Sequence, residues 1–426
     1  MTRIVFLTES FHPVLGGGER HIRELSAALV AAGMEATVVT RRSEGHLPVE
    51  ETLDGVKVRR VPPAGPGRLG KYQMVPWAGW ALHRLRRRYD VLVVRGSRVL
   101  GLPGLLLGRA HGARVVIQPE VNGELSGEVY TWGTGLERSA VGSAVRLATR
   151  VRNLWMRDAD AFVAMSRRIH QEMRDCGIAP ERIHLIPHGV DLRRFEPIEA
   201  SGRPELRRRL GLGADDLILV YTGRLLRGKG LDILLDAFEA NLSRHPDLHL
   251  VLVGSGRGQS LSVEEDLVGR SRQEALRGRV TLTGRVENVE DYLQAADLFV
   301  FPSSFEALGL SLVEAAACGL PCIGARTGGI VDVIDEGGSG LLFTPGETSE
   351  LAAAIGRLVE DAPQRRAMGR SGRVLAASRF DAVASRDRYL SLVAELTPRR
   401  RPPSSCSAGC APRGGAAPPR APASPA

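Results

Sequence analysis

The chain has 426 residues, of which 43% are hydrophobic and 25% are charged. At roughly 150 residues per domain this length predicts two or three domains, and the ordinary composition excludes a fibrous repeat and wholesale disorder. Lysine and arginine number 57 against 48 acidic residues, a net charge of +9. Five arginines and no acid lie in residues 397–426, which leaves +4 for the rest of the chain. The charge alone therefore does not indicate a nucleic-acid-binding protein.

Targeting signals and disulfides are not expected from this sequence. About four apolar residues precede Thr8, too few for the core of a signal peptide. The longest apolar run, residues 99–107, is interrupted by glycine and proline, so no membrane-spanning helix is predicted. The five cysteines are odd in number, and Cys318 and Cys322 are predicted to be buried thiols rather than zinc ligands. These features favour a cytoplasmic protein.

The first half of the chain alternates buried strands with helices. Residues 3–8 predict a strand, three glycines follow at 16–18, and the next helix carries an apolar face that includes Ile22, Leu25 and Leu29. Further strands are predicted at residues 36–40, 56–61, 91–95, 114–118, 161–165 and 184–187. This alternation indicates a doubly wound parallel sheet of the Rossmann-like kind.

A second unit of the same kind begins at residues 217–222, where a strand leads into a glycine-containing loop and an amphipathic helix. Its further strands are predicted at residues 249–253, 280–283, 298–301 and 322–325. The sequence therefore predicts an α/β protein with four segments, the last of them polar and rich in proline and alanine. They are a first domain at 1–195, a second domain at 196–375, a helix at 376–396 that packs back on the first domain, and a disordered tail at 397–426.

Residues 299–325 contain the densest group of candidate ligand-binding residues. A strand ends near Pro302, a short loop carries Glu306, and Gly309 opens a helix with Glu314 in its second turn. With Glu306 in the loop, the two carboxylates can flank one ligand. The free N–H groups near Gly309 and Leu310 form a positive helix end that suits a phosphate.

This arrangement resembles the retaining glycosyltransferases of the GT-B fold, family 4 (glycosyl transferases group 1). Other similar stretches stand in the expected order: GGGERH at 16–21, IPHGVDLRRF at 186–195, YTGRLLRGKGLDILLDAF at 221–238, LVGSG at 252–256, TGRVE at 283–287 and TGGIVDVI at 327–334. The resemblance covers residues 3–396. It implies two Rossmann-like domains facing across a cleft, and transfer of a sugar from a UDP- or GDP-sugar to a hydroxyl of a glycan, a lipid-linked or a small acceptor. Neither a metal nor another cofactor is expected, and cell-envelope polysaccharide synthesis is the expected setting.

The resemblance also assigns roles to four charged residues. Negative charge grows on the departing diphosphate, so cations beside it stabilise the transition state. Arg224 and Lys229 are expected to hold the diphosphate, and Lys229 stands out because the chain has only two other lysines. Glu306 is expected to contact hydroxyls of the transferred sugar, and Glu314 the ribose hydroxyls. Arg224, Lys229 and Glu306 are the catalytic candidates.

Backbone contacts to the donor are expected at glycine-rich turns. The donor-side candidates in these turns and at the helix start are Gly17, Gly18, Gly254, Gly256, Val286, Gly309 and Leu310. On the acceptor side, Glu120 and Asn122 are candidates within a stretch that lacks the histidine often present in similar enzymes. That departure keeps two alternatives open, a non-catalytic protein that binds sugar nucleotides and a GT-B epimerase or phosphorylase.

Three further patterns have competing interpretations. Residues 223–229 match G-x-x-x-x-G-K, but Gly230 stands where an NTPase needs Ser or Thr for Mg²⁺. Asp158 and Asp160 spell D-x-D at a predicted helix end, where a turn is favoured over a metal site. The basic stretches at 84–88 and 146–157 fit peripheral contact with the inner face of a membrane or a solvated helix surface. Nucleic acid is not an expected partner.

Overall fold

Two β-sheets, each flanked by helices, are the framework of this computed structural model, which describes residues 1–14, 16–65, 67, 69–131, 139–259 and 261–397. The predicted disordered tail lies outside the described residues, apart from Thr397. Both sheets are built from the short apolar segments that the sequence pattern marks as strands.

The first sheet has eight strands in the order β3-β4-β2-β1-β5-β6-β7-β8. All neighbours pair in parallel except β3 and β4, which form an antiparallel edge. The strands are β1 (Arg3–Thr8), β2 (Glu35–Arg41), β3 (Glu50–Leu53), β4 (Val56–Val61), β5 (Val91–Arg95), β6 (Arg114–Gln118), β7 (Ala161–Ala164) and β8 (Ile183–Leu185).

Helices cover both faces of this sheet. Alternate side chains of β1 point in opposite directions, so Val5 and Leu7 pack in one core cluster with Met74, while Ile4 and Phe6 pack in another with Ile22. The helices that follow the strands are α1 (Gly17–Ala31), α2 (Gly70–Arg84), α3 (Gly101–Ala110), α4 (Ala140–Met156) and α5 (Arg167–Asp175). Burial on both faces explains why the central strands are continuous apolar runs.

The second sheet has six parallel strands in the order β11-β10-β9-β12-β13-β14. Its strands are β9 (Leu217–Thr222), β10 (Leu248–Val253), β11 (Val280–Gly284), β12 (Leu298–Phe301), β13 (Cys322–Ala325) and β14 (Gly340–Phe343). The accompanying helices are α6 (Arg203–Arg209), α7 (Leu231–Leu242), α8 (Glu264–Ser271), α9 (Val289–Ala295), α10 (Leu310–Ala317), α11 (Ile330–Val333), α12 (Thr348–Glu360) and α13 (Ala362–Arg379). The predicted pair of Rossmann-like units is therefore present.

The C-terminal segment differs from the single helix predicted at 376–396. Helix α13 ends at Arg379, and a separate helix α14 (Ala382–Leu396) begins after a break. Backbone bonds cause the break, because Val190 donates to the carbonyl of Phe380 over 2.8 Å and accepts from the Ala382 amide over 3.1 Å. The chain thus returns to the first domain at this point, and α14 packs beside α1 with Leu392 and Val393 buried.

The strand order fixes where a ligand site belongs. In the first sheet, β1 lies between β2 and β5, and in the second, β9 lies between β10 and β12. Each is a point where the strand order reverses, and the loops that leave the carboxyl ends of such strands open a crevice. The loops after β1, β9 and β12 therefore line the cleft between the two domains.

Most predicted strands have the observed bounds to within a residue or two. Strands β3 and β14 are absent from the sequence prediction. Cys318 and Cys322 are buried free thiols, as expected, and burial raises the pKa of Cys318 to about 12. Within the described ranges, none of the helices has the length and apolar character that crossing a bilayer would require.

Candidate active site

The starts of two helices meet across the cleft. Helix α1 begins at Gly17, and α10 begins at Leu310 after Gly309, whose φ of +86° favours glycine. A Cβ on Gly17 would lie 2.9 Å from Cδ1 of Leu310, so the two helix ends are in van der Waals contact. The first N–H groups of each helix have no partner within their own helix, and both ends carry partial positive charge. This juxtaposition is suited to an anion with two phosphates.

Lys229 and Glu306 are brought together beside the start of α10. Lys229 Nζ lies 2.7 Å from Oε2 of Glu306. Ser303, fully buried, completes the cluster with its hydroxyl 3.5 Å from Lys229 Nζ and 3.4 Å from Glu306 Oε2. Both charged side chains keep about a fifth of their surface exposed, 19% for Lys229 and 18% for Glu306. They are therefore accessible to a ligand in the cleft.

The loops after β9 and β12 hold each other in place. The amide and hydroxyl of Ser304 both donate to the carbonyl of Gly228 over 3.1 Å. Gly230 has φ +68°, and a Cβ there would lie 2.2 Å from the carbonyl oxygen of Pro302. The glycine at the position where a P-loop needs Ser or Thr thus serves close packing of two loops. Arg224 lies on the same loop with an exposed side chain, and among the described residues it makes no ion pair.

Glu314 is paired with a residue that the sequence analysis did not select. Its carboxylate, 4% exposed, forms an ion pair with Arg20 from the second turn of α1. The Arg20 guanidinium also lies 5.8 Å from the centre of the Phe195 ring. Burial lowers the pKa of Arg20, an effect that Glu24 opposes. The signal for Arg20 was its place two residues after the glycines at 16–18, but its partner lies 294 positions away along the chain.

The loop after β6 carries both acceptor-side candidates. Glu120 forms an ion pair with Arg95 at 3.3 Å, and burial raises the pKa of this carboxyl while Arg95 opposes the rise. Arg95 also donates to the Gly18 carbonyl over 2.9 Å, which links Glu120 to the start of α1. Asn122 differs, because its side-chain amide donates across the cleft to the backbone carbonyl of Glu306 over 2.6 Å. Asn122 therefore joins the two domains directly beside the cluster of charged residues.

Two buried carboxylates fix the shape of that loop. Glu124 accepts from the amide and the hydroxyl of Ser97, each at 2.7 Å. Glu172 accepts from the amides of Gly123, Leu125 and Ser126, each at 2.8 Å. Because a carboxylate with several N–H donors is held rigidly, Glu120 and Asn122 stand on a preformed loop.

A buried polar chain occupies the region where similar enzymes often have a histidine. Gln118 ends β6 and accepts a 2.6 Å bond from the Tyr389 hydroxyl of α14. Its amide nitrogen lies 3.1 Å from His188 Nε2, and His188 stacks on His21 with ring centres 3.7 Å apart. Burial lowers the pKa of His21 to about 3 and also lowers that of His188. This geometry supports a packing role for His188.

The remaining donor-side candidates lie around the second sheet. Gly254 has φ +136°, and a Cβ there would lie 1.9 Å from the Gly223 carbonyl oxygen, so this glycine permits close approach of two loops. The Gly256 amide donates to Glu264 over 2.7 Å and is thereby engaged within the protein. Val286 is half-buried and packs against the core of the second domain.

The D-x-D sequence lies away from the cleft. Asp160 precedes β7, at the end of the sheet opposite to the cleft, and binds Arg114 at 2.7 Å and the Val115 amide at 2.8 Å. Asp158 pairs with Arg109 at 3.5 Å. Over the described part of the chain, no group of three or more His, Cys, Asp or Glu side chains is arranged to hold a metal ion.

Comparison with known proteins decides the family. The family described as glycosyl transferases group 1 matches residues 202–374, and the family described as glycosyltransferase family 4 matches residues 15–194. A D-inositol 3-phosphate glycosyltransferase from Kineococcus radiotolerans is 32% identical over 381 residues, covering 83% of this chain and 85% of that protein. The chain belongs to the group 1, family 4 glycosyltransferases.

Further relatives agree with this glycosyltransferase assignment. An enzyme of the same name from Xylanimonas cellulosilytica is 30% identical over 403 residues, 90% of this chain and 93% of its own length. Among solved structures, sucrose-phosphate synthase from Thermosynechococcus elongatus matches with a TM-score of 0.80, 24% identity and coverage of 93% of this chain and 99% of that one. HepE from Anabaena, solved with UDP-glucose, matches with a TM-score of 0.72, 23% identity and coverage of 93% and 100%. The GT-B fold predicted from the sequence is therefore confirmed.

The glycosyltransferase cleft combines three kinds of group. Two helix ends and Lys229 supply positive charge, Glu306 and Glu314 supply acceptors for hydroxyl groups, and Asn122 ties the two sides together. Cationic groups fixed in advance at a developing anion are a large source of rate acceleration. The cleft is thus equipped to bind a sugar through its hydroxyls and to stabilise an anionic leaving group.

Proposed function

We propose that this glycosyltransferase moves a sugar from a UDP- or GDP-sugar to an acceptor hydroxyl, with retention of configuration at the anomeric carbon and without a metal ion. The observation that carries the proposal is the meeting of the α1 and α10 helix ends beside Lys229, Glu306 and Glu314. HepE, a structural neighbour, was solved with UDP and with UDP-glucose, which supports a nucleotide-sugar donor.

In this proposal the donor lies along the start of α10. Its diphosphate accepts hydrogen bonds from the N–H groups of Gly309 and Leu310, with Arg224 and Lys229 as counter-cations. Its ribose hydroxyls donate to Glu314, which requires the Arg20 side chain to move aside. Its transferred sugar places hydroxyls on Glu306, which lies on the loop before α10, whereas Glu314 lies within that helix.

The proposed chemical step uses only the two substrates and the side chains and helix ends of this chain. The bond between the anomeric carbon and the diphosphate oxygen breaks, and the acceptor oxygen forms its new bond on the same face. The acceptor proton passes to the departing phosphate oxygen, so neither a protein nucleophile nor a metal is invoked. Fixed positive charge from two helix ends and two cationic side chains replaces Mg²⁺ at the leaving group.

The acceptor is proposed to bind on the first domain, beside the loop after β6. Glu120 is held near the Gly18 carbonyl by Arg95, so a hydroxyl bound to Glu120 would approach the donor site. Glycans, lipid-linked sugars and small polyols are the acceptor classes that a carboxylate of this kind would recognise. The cytoplasmic face of the cell envelope is the proposed setting.

The proposal is tested by incubating the purified chain with UDP-, GDP- and ADP-sugars and measuring release of nucleoside diphosphate. Slow release without acceptor, insensitive to EDTA, is expected, and NMR of a product from an acceptor screen reports its anomeric configuration. An inverted product or full dependence on Mg²⁺ would contradict the mechanism. Undiminished turnover in the Lys229→Ala variant would contradict the site.

A second candidate is a protein that binds sugar nucleotides without turnover. It is favoured by Gln118, which stands where similar enzymes often have histidine and whose side chain is engaged by Tyr389 and His188. Calorimetric binding of UDP or GDP combined with no diphosphate release from any donor, with or without acceptor extracts, would favour this candidate.

A further inference from the structure

Helix α4 exposes its large apolar side chains to solvent, the reverse of an ordinary surface helix. Its buried positions are small or polar except for one methionine, namely Gly142, Thr149, Asn153 and Met156. Its largest apolar side chains instead face outward. They are Val141, Leu147, Val151, Leu154 and Trp155, with exposed fractions of 57%, 63%, 51%, 55% and 65%. A helix on the surface of a soluble domain normally turns its apolar stripe to the core.

The outward apolar side chains of α4 form one continuous stripe. At about 100° per residue, the exposed apolar positions and the three alanines between them cover an arc of roughly 140°. Arg146 and Arg150 border the stripe on one side. On the other side Arg152 turns inward, where its guanidinium donates to the carbonyls of Arg98 and Glu124. An exposed apolar stripe with arginine along its edge is the pattern of a helix that lies in the surface plane of a bilayer.

The two neighbouring helices carry further exposed apolar side chains. Helix α2 packs on α3, and α3 packs on α4, along the same face of the first sheet. Several of their exposed side chains are large and apolar. They include Tyr72, Trp77 and Trp80 of α2 and Leu106 of α3, each about half exposed. We call the exposed sides of α2, α3 and α4 the outer face.

The net positive charge of the three helices indicates what kind of partner the outer face would bind. Together they hold six basic residues and no Asp or Glu, although the whole chain has 57 basic and 48 acidic residues. The six are Lys71, Arg84, Arg109, Arg146, Arg150 and Arg152. Arg109 pairs with Asp158, and Arg152 donates inward to the carbonyl of Glu124, so Lys71, Arg84 and Arg150 carry the charge considered for a partner. Two copies of the outer face would repel each other, whereas an anionic surface would be attracted.

The aromatic side chains fit the same partner. Tryptophan and tyrosine prefer the boundary between hydrocarbon and water, where an apolar ring and a polar N–H or O–H are both accommodated. The guanidinium of Arg84 lies 4.5 Å from the centre of the Trp80 ring, so this cation already sits at the edge of an aromatic surface. Arginine at this level can reach lipid phosphate while the ring enters the acyl boundary.

We propose that the outer face docks this glycosyltransferase onto the surface of an anionic phospholipid bilayer. The stripe of α4 and the tryptophans of α2 enter the interface, and Arg84 and Arg150 contact lipid phosphates. Docking of this kind needs no helix that spans the bilayer. It also does not rest on the proposed donor or acceptor chemistry, since vesicle binding is measured without turnover.

The test is co-sedimentation of the full chain with phosphatidylglycerol-containing vesicles and with pure phosphatidylcholine vesicles. Leu147→Glu and Trp155→Glu are expected to weaken partitioning onto anionic vesicles by about tenfold or more. Val374→Glu is the matched control, because Val374 of α13 is 69% exposed on the second domain. Arg150→Glu should weaken partitioning in the same way, with Arg370→Glu on α13 as its control.

Each other outcome overturns the proposal. Wild-type chain that stays in the supernatant with anionic vesicles has no docking surface of this kind. Equal weakening by the outer-face and the α13 variants would indicate a general charge effect. Undiminished binding of the Leu147→Glu and Trp155→Glu variants would place the membrane contact elsewhere, for example in residues 398–426. A dimer that the Trp155→Glu variant converts to monomer, with vesicle binding unchanged, would make the outer face a self-interface.

Circular dichroism and diphosphate release keep these results separate from the catalytic proposal. The substituted side chains are exposed, so folded variants are expected, and none of them lies in the cleft. Donor hydrolysis in the absence of vesicles should be unchanged in all of them. A chain that fails to hydrolyse any donor but still partitions through the outer face would refute the proposed function and leave the docking surface intact.

Discussion

Lys229 and Glu306 form a 2.7 Å ion pair although they are 77 positions apart, one on the loop after β9 and the other on the loop after β12. The pair exists because these strands are neighbours in the sheet, at the point where its strand order reverses. Lysine is thus fixed beside the start of α10 by a carboxylate that is itself a candidate ligand for sugar hydroxyls. A donor that enters the cleft meets both partners at once.

The first prediction concerns Lys229. Lys229→Ala removes a cation that we propose lies at the leaving group, and a decrease of about a hundredfold to a thousandfold in kcat is expected for donor hydrolysis or transfer. Lys229→Arg should recover part of the rate because it restores the charge. Lys57→Ala is the control, since Lys57 is an exposed residue of β4. Diphosphate release is the measurement, and equal rates in wild type and Lys229→Ala would remove Lys229 from the mechanism.

The second prediction concerns the ion pair between Arg20 and Glu314. Glu314→Ala removes the charged acceptor proposed for the ribose, so the Kd for UDP or GDP should rise by about tenfold or more. Arg20→Ala should lower that Kd a few-fold, because the carboxylate no longer has a competing partner. The control is Arg23→Ala, one turn further along α1, where the arginine binds exposed Asp54. Calorimetry measures the three values.

Opposite signs for Arg20→Ala and Glu314→Ala are the decisive feature of that experiment. If both substitutions weaken nucleotide binding equally, Arg20 contacts the nucleotide instead of competing with it. If neither changes the Kd, the nucleotide does not bind at the start of α10.

The fold and part of the site could be predicted because they depend on local patterns. Apolar runs mark the buried strands, and Gly309 marks the start of α10. Strand β3 was missed because its sequence, EETL, is short and largely polar on an exposed edge. The contacts of Glu314 with Arg20 and of Glu306 with Asn122 depend on how two domains face each other, and no local pattern encodes that orientation. The exposed apolar side of α4 could not be predicted, because the sequence does not say which side of this helix packs on the rest of the domain.

The third prediction is a pH dependence of the first domain's stability. His21 and His188 are buried and neutral, and their folded pKa values lie below the ordinary 6.5. Between the folded and unfolded pKa values the unfolded state binds more protons, so stability rises with pH and levels off above about 6.5. Acidification below this point should remove up to about 1.4 kcal/mol per pH unit for each histidine.

Tryptophan fluorescence is a suitable measurement, because all four tryptophans lie in the first domain. His188→Asn should reduce the slope of stability against pH between about 4 and 6.5, since one of the two titrating groups is lost. His46→Gln, at an exposed histidine, should leave the slope unchanged. A wild-type stability that stays flat across this interval would contradict the buried neutral pair.

The last prediction concerns Gly230, which stands where a P-loop would have Ser or Thr. A Cβ at Gly230 would meet the backbone carbonyl oxygen of Pro302 at 2.2 Å, and backbone cannot turn aside as a flexible side chain can. Gly337 is the matched control, because it has a similar positive φ of +78° and nothing within 4 Å of its Cβ position. Gly337→Ala should cost only the left-handed strain of about 1–2 kcal/mol. Gly230→Ala should cost about 1–3 kcal/mol more through overpacking, as measured by urea unfolding followed by circular dichroism. Equal costs at the two positions would mean that the loops after β9 and β12 separate easily, and the fixed placement of Lys229 beside Glu306 would then be lost.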